Sequence, residues 1–350
     1  MMQVDYIVVG IGLAGISFCE QLKANDKSFV VFDNASQQSS TVAGGLYNPV
    51  VLKRFTPVWK SKEQLDIALP MYKHLENTLN VKLDHKIPVY RKFASLEEQN
   101  DWFTASDKPN LSEYLSTKLI KNKKTCIDAP FGFGEVLQTG RIDVKTLVKS
   151  YKTNLLKNDQ LIEDVFEYDD LKAAEKSIHY KNIKAKYIVF AEGFGVVKNP
   201  FFNHLPLVPT KGELLIIHAP DLKIDYILKA GIFLIPLNDD LYIVGATYDW
   251  DDKTHALTTK AKEDLLNKLN KIIDFSYKVI NQVAGIRPTV KDRRPLVGQH
   301  KTHKNMFVLN GLGTRGVMIG PYVAKQLYHF IENKIPLQNE IDIKRFEPSA

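Results

Sequence analysis

The run Asp5-Tyr-Ile-Val-Val-Gly-Ile-Gly-Leu-Ala-Gly-Ile-Ser-Phe18 constrains the fold more than any other stretch, because it sets three glycines between two elements. Tyr6 to Val9 is short, apolar and β-branched, which predicts a buried strand. Gly10, Gly12 and Gly15 follow at the Gly-x-Gly-x-x-Gly spacing, where strand must turn into helix. In a dinucleotide site the first glycine permits the tight turn and the second lets backbone approach a pyrophosphate. The third lets helix and strand pack closely. Leu13 and Ala14 begin the helix, whose free N–H groups and dipole favour phosphate charge. Ile16, Phe18, Cys19 and Leu22 supply its buried side, with an end expected near Asn25. "SFVVFDN" then predicts a second strand ending at Asp33, with Asn34 beside it. An acid there, about 20 residues past the glycines, is placed to accept a ribose hydroxyl. An aspartate rather than an arginine argues against a 2′-phosphate, and so against NADP. Strand, glycines, helix, strand and acid in this order predict a dinucleotide site rather than a chance turn.

With 350 residues, the chain can bury a large core, and two or three domains are expected. Its 44% hydrophobic and 25% charged residues are ordinary for a soluble globular protein. Asp5 interrupts any secretory leader, and no apolar run is pure enough to span a membrane. Cys19 and Cys126 are too few for a disulfide framework or a structural zinc site, so a reducing cytoplasm is expected. The nine histidines form no metal-ligand pattern. The net charge of +7 comes from lysines scattered among acids, which favours a solvated face over a nucleic-acid surface.

Both NAD and FAD use such an opening, and later segments decide between them. Lys184 to Gly195 reads as a buried strand ending in Ala191-Glu192-Gly193, like the segment that closes a Rossmann-type domain over FAD, with Glu192 replacing threonine. "NMFVLNGLGTRGVMIGPYVAKQLYHFIE" reads as strand, glycine-rich loop and amphipathic helix. Such a helix can aim its positive N-terminus at a reduced flavin. A disulfide reductase would need Cys-x-x-Cys and a second glycine motif after a strand. Neither is present, and "GFGEVL" at Gly132 and "GFGVVK" at Gly193 read as loops.

Taken in order, "DYIVVGIGLAGISF", "SSTVAGGLYNPV", "TGRIDVKTLVKSY", "YIVFAEGFG", "PLVPTKGELLII", "GIFLIPLNDDLYIVGATYDW", "AGIRPTVKDRRPLVG" and "NGLGTRGVMIGP" resemble the D-amino-acid oxidase, glycine oxidase and sarcosine oxidase superfamily of FAD enzymes. "GGLYNPV" and "GLGTRGV" are most similar to the flavin domain of the bifunctional bacterial tRNA wobble-uridine enzyme, although no methyltransferase domain fits here. The resemblance implies that Gly44, Gly45 and Leu46 pass close to the flavin and that Val165 offers backbone to adenine. Gly311, Gly313, Thr314 and Gly316 would belong to the cofactor loop, as would Ala191 and Gly193. Arg287 of "GIRPTV" would bind a substrate carboxylate, for which paired guanidinium hydrogen bonds are suited. Arg315 would lie by the flavin or at the mouth of the site, and Phe233 stands where glycine oxidases often carry a tyrosine. Tyr47, Tyr248 and Trp250 are candidate pocket aromatics, while Gln37 to Thr41 reads as a flexible loop. Relatives that tether flavin covalently use a cysteine in the C-terminal part; none follows Cys126, so FAD is expected to be held non-covalently.

The expected fold is α/β, a Rossmann-like FAD-binding domain joined to an α+β substrate domain on an antiparallel sheet. The first would gather residues 1–80, 136–205 and 284–350, and the second residues 81–135 and 206–283. "ELLIIHAP", "YILKAGIFLIPL" and "LYIVGATY" read as strands, with a hairpin turn at Asn238-Asp239-Asp240. Thr258 or Thr259 would cap one helix, and Ser95 with Glu98 would cap a short helix before Trp102. The expected activity is FAD-dependent oxidation of the C–N bond of a small amino acid or secondary amine to an imine, with oxygen as electron acceptor. Two alternatives stand beside it: a tRNA-modifying version of the same chemistry, which is not favoured, and a flavin-binding subunit without turnover.

Overall fold

The structure, a computed structural model, describes residues 1–347; the last three residues of the expected segment 284–350 lie outside the described residues. Strand Met2–Val9 runs parallel to Phe29–Phe32 on one side and to Ile183–Phe190 on the other. Leu161–Ile162 and Met306–Asn310 extend the parallel pairing outward. Shorter antiparallel strands complete an eight-stranded sheet. Tyr6, Ile7, Val8 and Val9 are all buried, because both faces of the sheet are covered. Tyr6 and Val8 pack among helices that include Leu13–Lys23 and Gly316–Glu332. Ile7 and Val9 meet an aromatic layer of Phe32, Phe166, Tyr180 and Phe190.

Helix Gly316–Glu332 contains Pro321, which has no N–H for the carbonyl of Val317 four residues back. The Tyr72 hydroxyl, from helix Ser61–Leu79, donates to that carbonyl at 2.9 Å. A helix near the end of the chain is thereby completed by one near its start.

A second eight-stranded sheet runs in the order Lys278–Arg287, Thr210–His218, Leu241–Gly245, Ile232–Pro236, Ile227–Ala230, Val89–Lys92, Phe133–Val136 and Leu115–Ile120. It is antiparallel except where Ile227–Ala230 meets Val89–Lys92. One face buries Leu265 and Leu269 of helix Thr259–Asn270, whose first turn is capped by the Thr258 hydroxyl accepting from the Ala261 N–H at 3.2 Å. The other face looks toward the glycine loops of the first sheet, where Ile235 and Leu214 pack with Val42 and Leu46. Asp239 and Asp240 both have positive φ, the backbone of a two-residue hairpin turn.

Four local readings change. The stretch around Gly231 is two strands, since that glycine (φ +83°) turns Ile227–Ala230 back into Ile232–Pro236. Trp102 lies inside helix Leu96–Ser106, not after it, and Ser95 caps that helix by accepting from the Glu98 N–H at 3.2 Å. Phe133–Val136 is a strand, because Gly134 gives the space that the Trp102 ring fills. Gln37 to Thr41 runs into a short helix, Ser39–Val42. Strand Lys278–Arg287 also crosses the expected boundary between residues 283 and 284.

Candidate active site

A cavity of about 900 Å³ lies between the two sheets and is walled by both. At its nucleotide end the three glycines do different work. A Cβ at Gly15 would fall 2.0 Å from the Gly10 carbonyl oxygen, so this glycine serves helix packing and does not line the cavity. Gly10 has φ +96°, and a Cβ there would meet the Ala191 carbonyl at 2.6 Å. At Gly12 a Cβ would meet only the Ser40 hydroxyl, at 3.0 Å, and that side chain can move. The space before Gly12 is therefore kept open toward the cavity, as close approach of a pyrophosphate requires. Ser40, which the sequence places in a nondescript loop, accepts from the Leu13 N–H at 3.2 Å.

Asp33 ends its strand with both oxygens engaged. It accepts from the N–H groups of Ile11 at 3.2 Å and Ala35 at 3.1 Å, and pairs with the Lys152 ammonium. Lys152 comes from helix Val144–Lys157, 119 residues away, and no local motif marks it. Asn34, Val165, Ala191 and Gly193 also line this end. Between the last two, half-buried Glu192 accepts from Asn199 Nδ2 at 2.7 Å and from the Tyr168 hydroxyl. Burial raises its pKa above the usual carboxylate range, against the pull of those two donors.

Gly44, Gly45 and Leu46 form the floor between the sheets. Gly45 has φ +71° and lies so close to Ile142 that a Cβ would fall 1.9 Å from its carbonyl oxygen. Gly313, Thr314 and Gly316 line the wall where the last helix begins. Gly311 does not; at φ +72° it sits against Val290 and Leu296 behind the wall.

Arg287, at the end of its strand, lays its guanidinium across Gly212 of the neighbouring strand. A Cβ on Gly212 would fall 2.0 Å from the nearer Nη. Nη1 donates to the Thr247 carbonyl at 3.2 Å, and the Tyr248 ring centroid lies 4.6 Å from Cζ. Burial lowers the pKa of Arg287, and Tyr248 acts in the opposite direction. Arg315, just before the last helix, is also lowered by burial, with Tyr248 opposing that shift and Arg293 adding to it. No carboxylate contributes to either environment. A desolvated guanidinium without an acid is costly and makes a strong site for an incoming carboxylate. Gly212, which makes room for Arg287, had one readable signal: a glycine inside a strand marks close approach of another group.

Phe233 and Tyr248 line the cavity. Tyr47 does not; it is buried, with its hydroxyl donating to Asp84 at 2.8 Å. Trp250 is 53% exposed and lies outside the wall. Among the described residues, no cluster of His, Cys, Asp and Glu could hold a metal, and no helix is long and apolar enough to cross a membrane.

A parallel sheet with a dinucleotide-type glycine loop, roofed by an antiparallel sheet that holds a half-buried arginine without an acid, defines the class: an α/β nucleotide-cofactor oxidoreductase. The family described as FAD dependent oxidoreductase matches residues 5–329, and the chain belongs to it. Glycine oxidase of Bacillus subtilis (strain 168) is 21% identical over 357 residues, covering 94% of this chain and 93% of that one. The tRNA 5-methylaminomethyl-2-thiouridine biosynthesis bifunctional protein of Azoarcus sp. (strain BH72) is 24% identical over 180 residues. That match takes in 45% of this chain but only 28% of the bifunctional protein. The crystal structure of glycine oxidase from Geobacillus kaustophilus superposes with a TM-score of 0.80 at 16% identity, covering 100% of this chain and 99% of that one. The protein is thus an FAD-dependent oxidoreductase of the amino-acid and amine oxidase family. FAD fits the residues present: open space before Gly12 suits its pyrophosphate, Asp33 its ribose, and the long cavity carries the remainder toward Arg287.

Proposed function

We propose that this enzyme oxidises the C–N bond of an amino acid or secondary amine that bears a carboxylate, giving an imine that water hydrolyses. Bound FAD would accept the two electrons and the hydrogen lost from the α-carbon, and oxygen would take them onward. The chain's own residues do the positioning. Arg287 holds the substrate carboxylate in a two-pronged contact, and Thr247 and Tyr248 fix the plane of the guanidinium. Arg315 lines the same cavity as a second cation. FAD is held without a covalent bond by Gly12, Asp33 and the Gly313–Gly316 loop. In this reading residues 1–80, 136–205 and 284–350 form the cofactor unit, and residues 81–135 and 206–283 the substrate unit.

The observation that carries the reading is the half-buried Arg287, lying over Gly212 and without an acid of its own. Anaerobic bleaching of the flavin tests it with matched amines that do or do not carry a carboxylate. Arg287→Lys should keep FAD and lose much of the rate, and Arg287→Ala should lose more, only for carboxylated amines. Equal loss for both substrate types would make Arg287 structural and move the role to Arg315. The local likeness to the bifunctional tRNA enzyme favours a second reading, in which the carboxylated amine is part of a tRNA base. Bleaching by undermodified tRNA but by no small amine would decide for that version.

A further inference from the structure

The roof of the cavity carries a third cation that the proposed reaction does not use. Lys229, on strand Ile227–Ala230, is half-buried in the cavity wall. Its ammonium lies 4.2 Å from the Phe233 ring centroid and 3.3 Å from the Gly231 carbonyl. Neither contact neutralises it. Burial lowers its pKa to about 8, with Arg91 and Lys268 adding to the shift and no carboxylate opposing it. The acids on the cavity wall, Asp33, Asp164 and Glu192, all belong to the nucleotide end. The substrate end therefore presents Arg287, Arg315 and Lys229 with no protein anion among the described residues.

We infer that Lys229 is the subsite for a second anionic group, so that the preferred substrate is a short amine carrying two carboxylates, one on Arg287 and one on Lys229. This rests on the proposed amine oxidation. The sheet register gives the span. The Arg287 guanidinium lies over Gly212 on strand Thr210–His218, and the Lys229 ammonium lies by Phe233 on strand Ile232–Pro236. Only strand Leu241–Gly245 lies between those two. Phe233 is level with Gly245 and Leu214, two residues along the strand from Gly212, so the two cations are separated by about 10 Å across the sheet and about 7 Å along it, roughly 12 Å in all. A charge-assisted hydrogen bond takes about 2.8 Å at each end, which leaves roughly 6–7 Å between the two carboxylate oxygens. A linker of three or four atoms, at about 1.5 Å per bond, spans that gap. One nitrogen flanked by short carbon arms meets the requirement. Single amino acids such as glycine would leave Lys229 unpaired. Phe233 contributes an apolar wall and no hydroxyl, so discrimination at this end falls to the ammonium.

The test uses the FAD-loaded protein and two pairs of probes that differ only in replacing a carboxylate by a methyl group. Diglycolate and ethoxyacetate lack an amine, so their binding is read from the change in flavin absorbance without turnover. N-(carboxymethyl)-β-alanine and N-propylglycine are compared by anaerobic flavin bleaching. Wild type should bind diglycolate at least tenfold more tightly than ethoxyacetate and show the same preference, in kcat/KM, between the two amines. Lys229→Met should cut that ratio at least tenfold, and Lys229→Arg should restore most of it. Equal binding of the two ether acids by wild type would overturn the inference, and so would a preference that survives Lys229→Met. If no amine bleaches the flavin yet the ether acids show the Lys229-dependent preference, the subsite stands and the oxidation reading fails. If N-propylglycine bleaches as well as the diacid, the reaction stands and the subsite falls. A Lys229 dependence seen with undermodified tRNA alone would assign the ammonium to a nucleic-acid phosphate and overturn the small diacid.

Discussion

The two ends of the cavity are built from opposite materials. At the nucleotide end the wall is largely backbone and short side chains, and its charges are paired: Asp33 with Lys152, and Glu192 with two neutral donors. At the other end Arg287 and Lys229 on the roof and Arg315 at the start of the last helix are left without acids. The first end has its charges balanced within the chain, whereas the second carries an excess of positive charge that, in the proposed reaction, a substrate anion would balance. That difference separates what holds a cofactor through many turnovers from what grips a substrate for one.

The largest effects should come from the glycines, and they should split. Gly12→Val should leave a folded protein that retains no FAD, because the valine meets only Ser40 within the chain while filling the pyrophosphate space. Gly15→Val should damage the fold itself, since its side chain strikes the Gly10 carbonyl. Circular dichroism and flavin content on each variant measure the two outcomes. A Gly12→Val protein that is equally misfolded would erase the distinction between cofactor and packing glycines.

Next in size is Arg287→Ala. Loss of charge-assisted hydrogen bonds worth about 1.5–3 kcal/mol should lower kcat/KM for a carboxylated amine by roughly 10- to 150-fold. Flavin content should not change. Flavin lost together with the rate would mean that the roof belongs to cofactor binding as well.

Asp33→Ala and Lys152→Met should each weaken FAD binding by up to about 2 kcal/mol, measured by titrating apoprotein. Because Lys152 acts by holding Asp33, the double variant should cost little more than Asp33→Ala alone. Additive losses would show that Lys152 contacts the cofactor independently.

The pH dependence sharpens the comparison further. Lys229 has its pKa lowered to about 8, so it is charged below that pH and loses its proton above it. The charges around it are Arg91, paired with Glu98, and Lys268, paired with Asp264. Preference for a diacid over its monoacid partner should therefore fall between pH 7 and pH 9, while monoacid binding at Arg287 holds. A preference constant up to pH 9 would place the second anion on another group.

The smallest effect concerns the helix whose start lies between the two ends. Tyr72→Phe removes one hydrogen bond to a buried carbonyl and should lower stability by about 1–2 kcal/mol in urea unfolding, if unfolding is two-state. No change would mean that the Val317 carbonyl finds another partner.

Legibility followed the same division. The nucleotide end could be read because its determinants are local: Gly10 to Gly15, Asp33 and the Gly313–Gly316 loop each follow from a turn or helix start within one segment. Hairpin and cap signals at Asp239-Asp240, Ser95 and Thr258 could be read for the same reason. Lys152 and Ser40 could not, since their roles depend on where separate segments are carried by tertiary packing. The roof was harder still. Arg287 was visible through its motif, but Gly212 acts as its bed only once two strands pair. Tyr47 shows the converse: an aromatic beside the glycine pair turned away to satisfy Asp84. Lys229 looked like any other lysine because its burial and its lack of an acid are properties of the sheet, not of its neighbours in sequence.

The carbonyl that Pro321 leaves to Tyr72 also sets a timetable. During synthesis the glycine loop and Asp33 emerge first, yet the segment that carries Arg315 and closes the wall emerges about 280 residues later, a delay of roughly 15–60 s at ordinary elongation rates. Until then the Tyr72 hydroxyl has no Val317 carbonyl to meet, and the strand Ile183–Phe190 lacks its outer partner Met306–Asn310. A nascent chain without that segment carries half a cofactor site, and flavin capture would wait for the segment that bears Arg315. Supply of FAD would then act on the yield of active enzyme by trapping the closed form, more than on the path by which the first half of the chain folds.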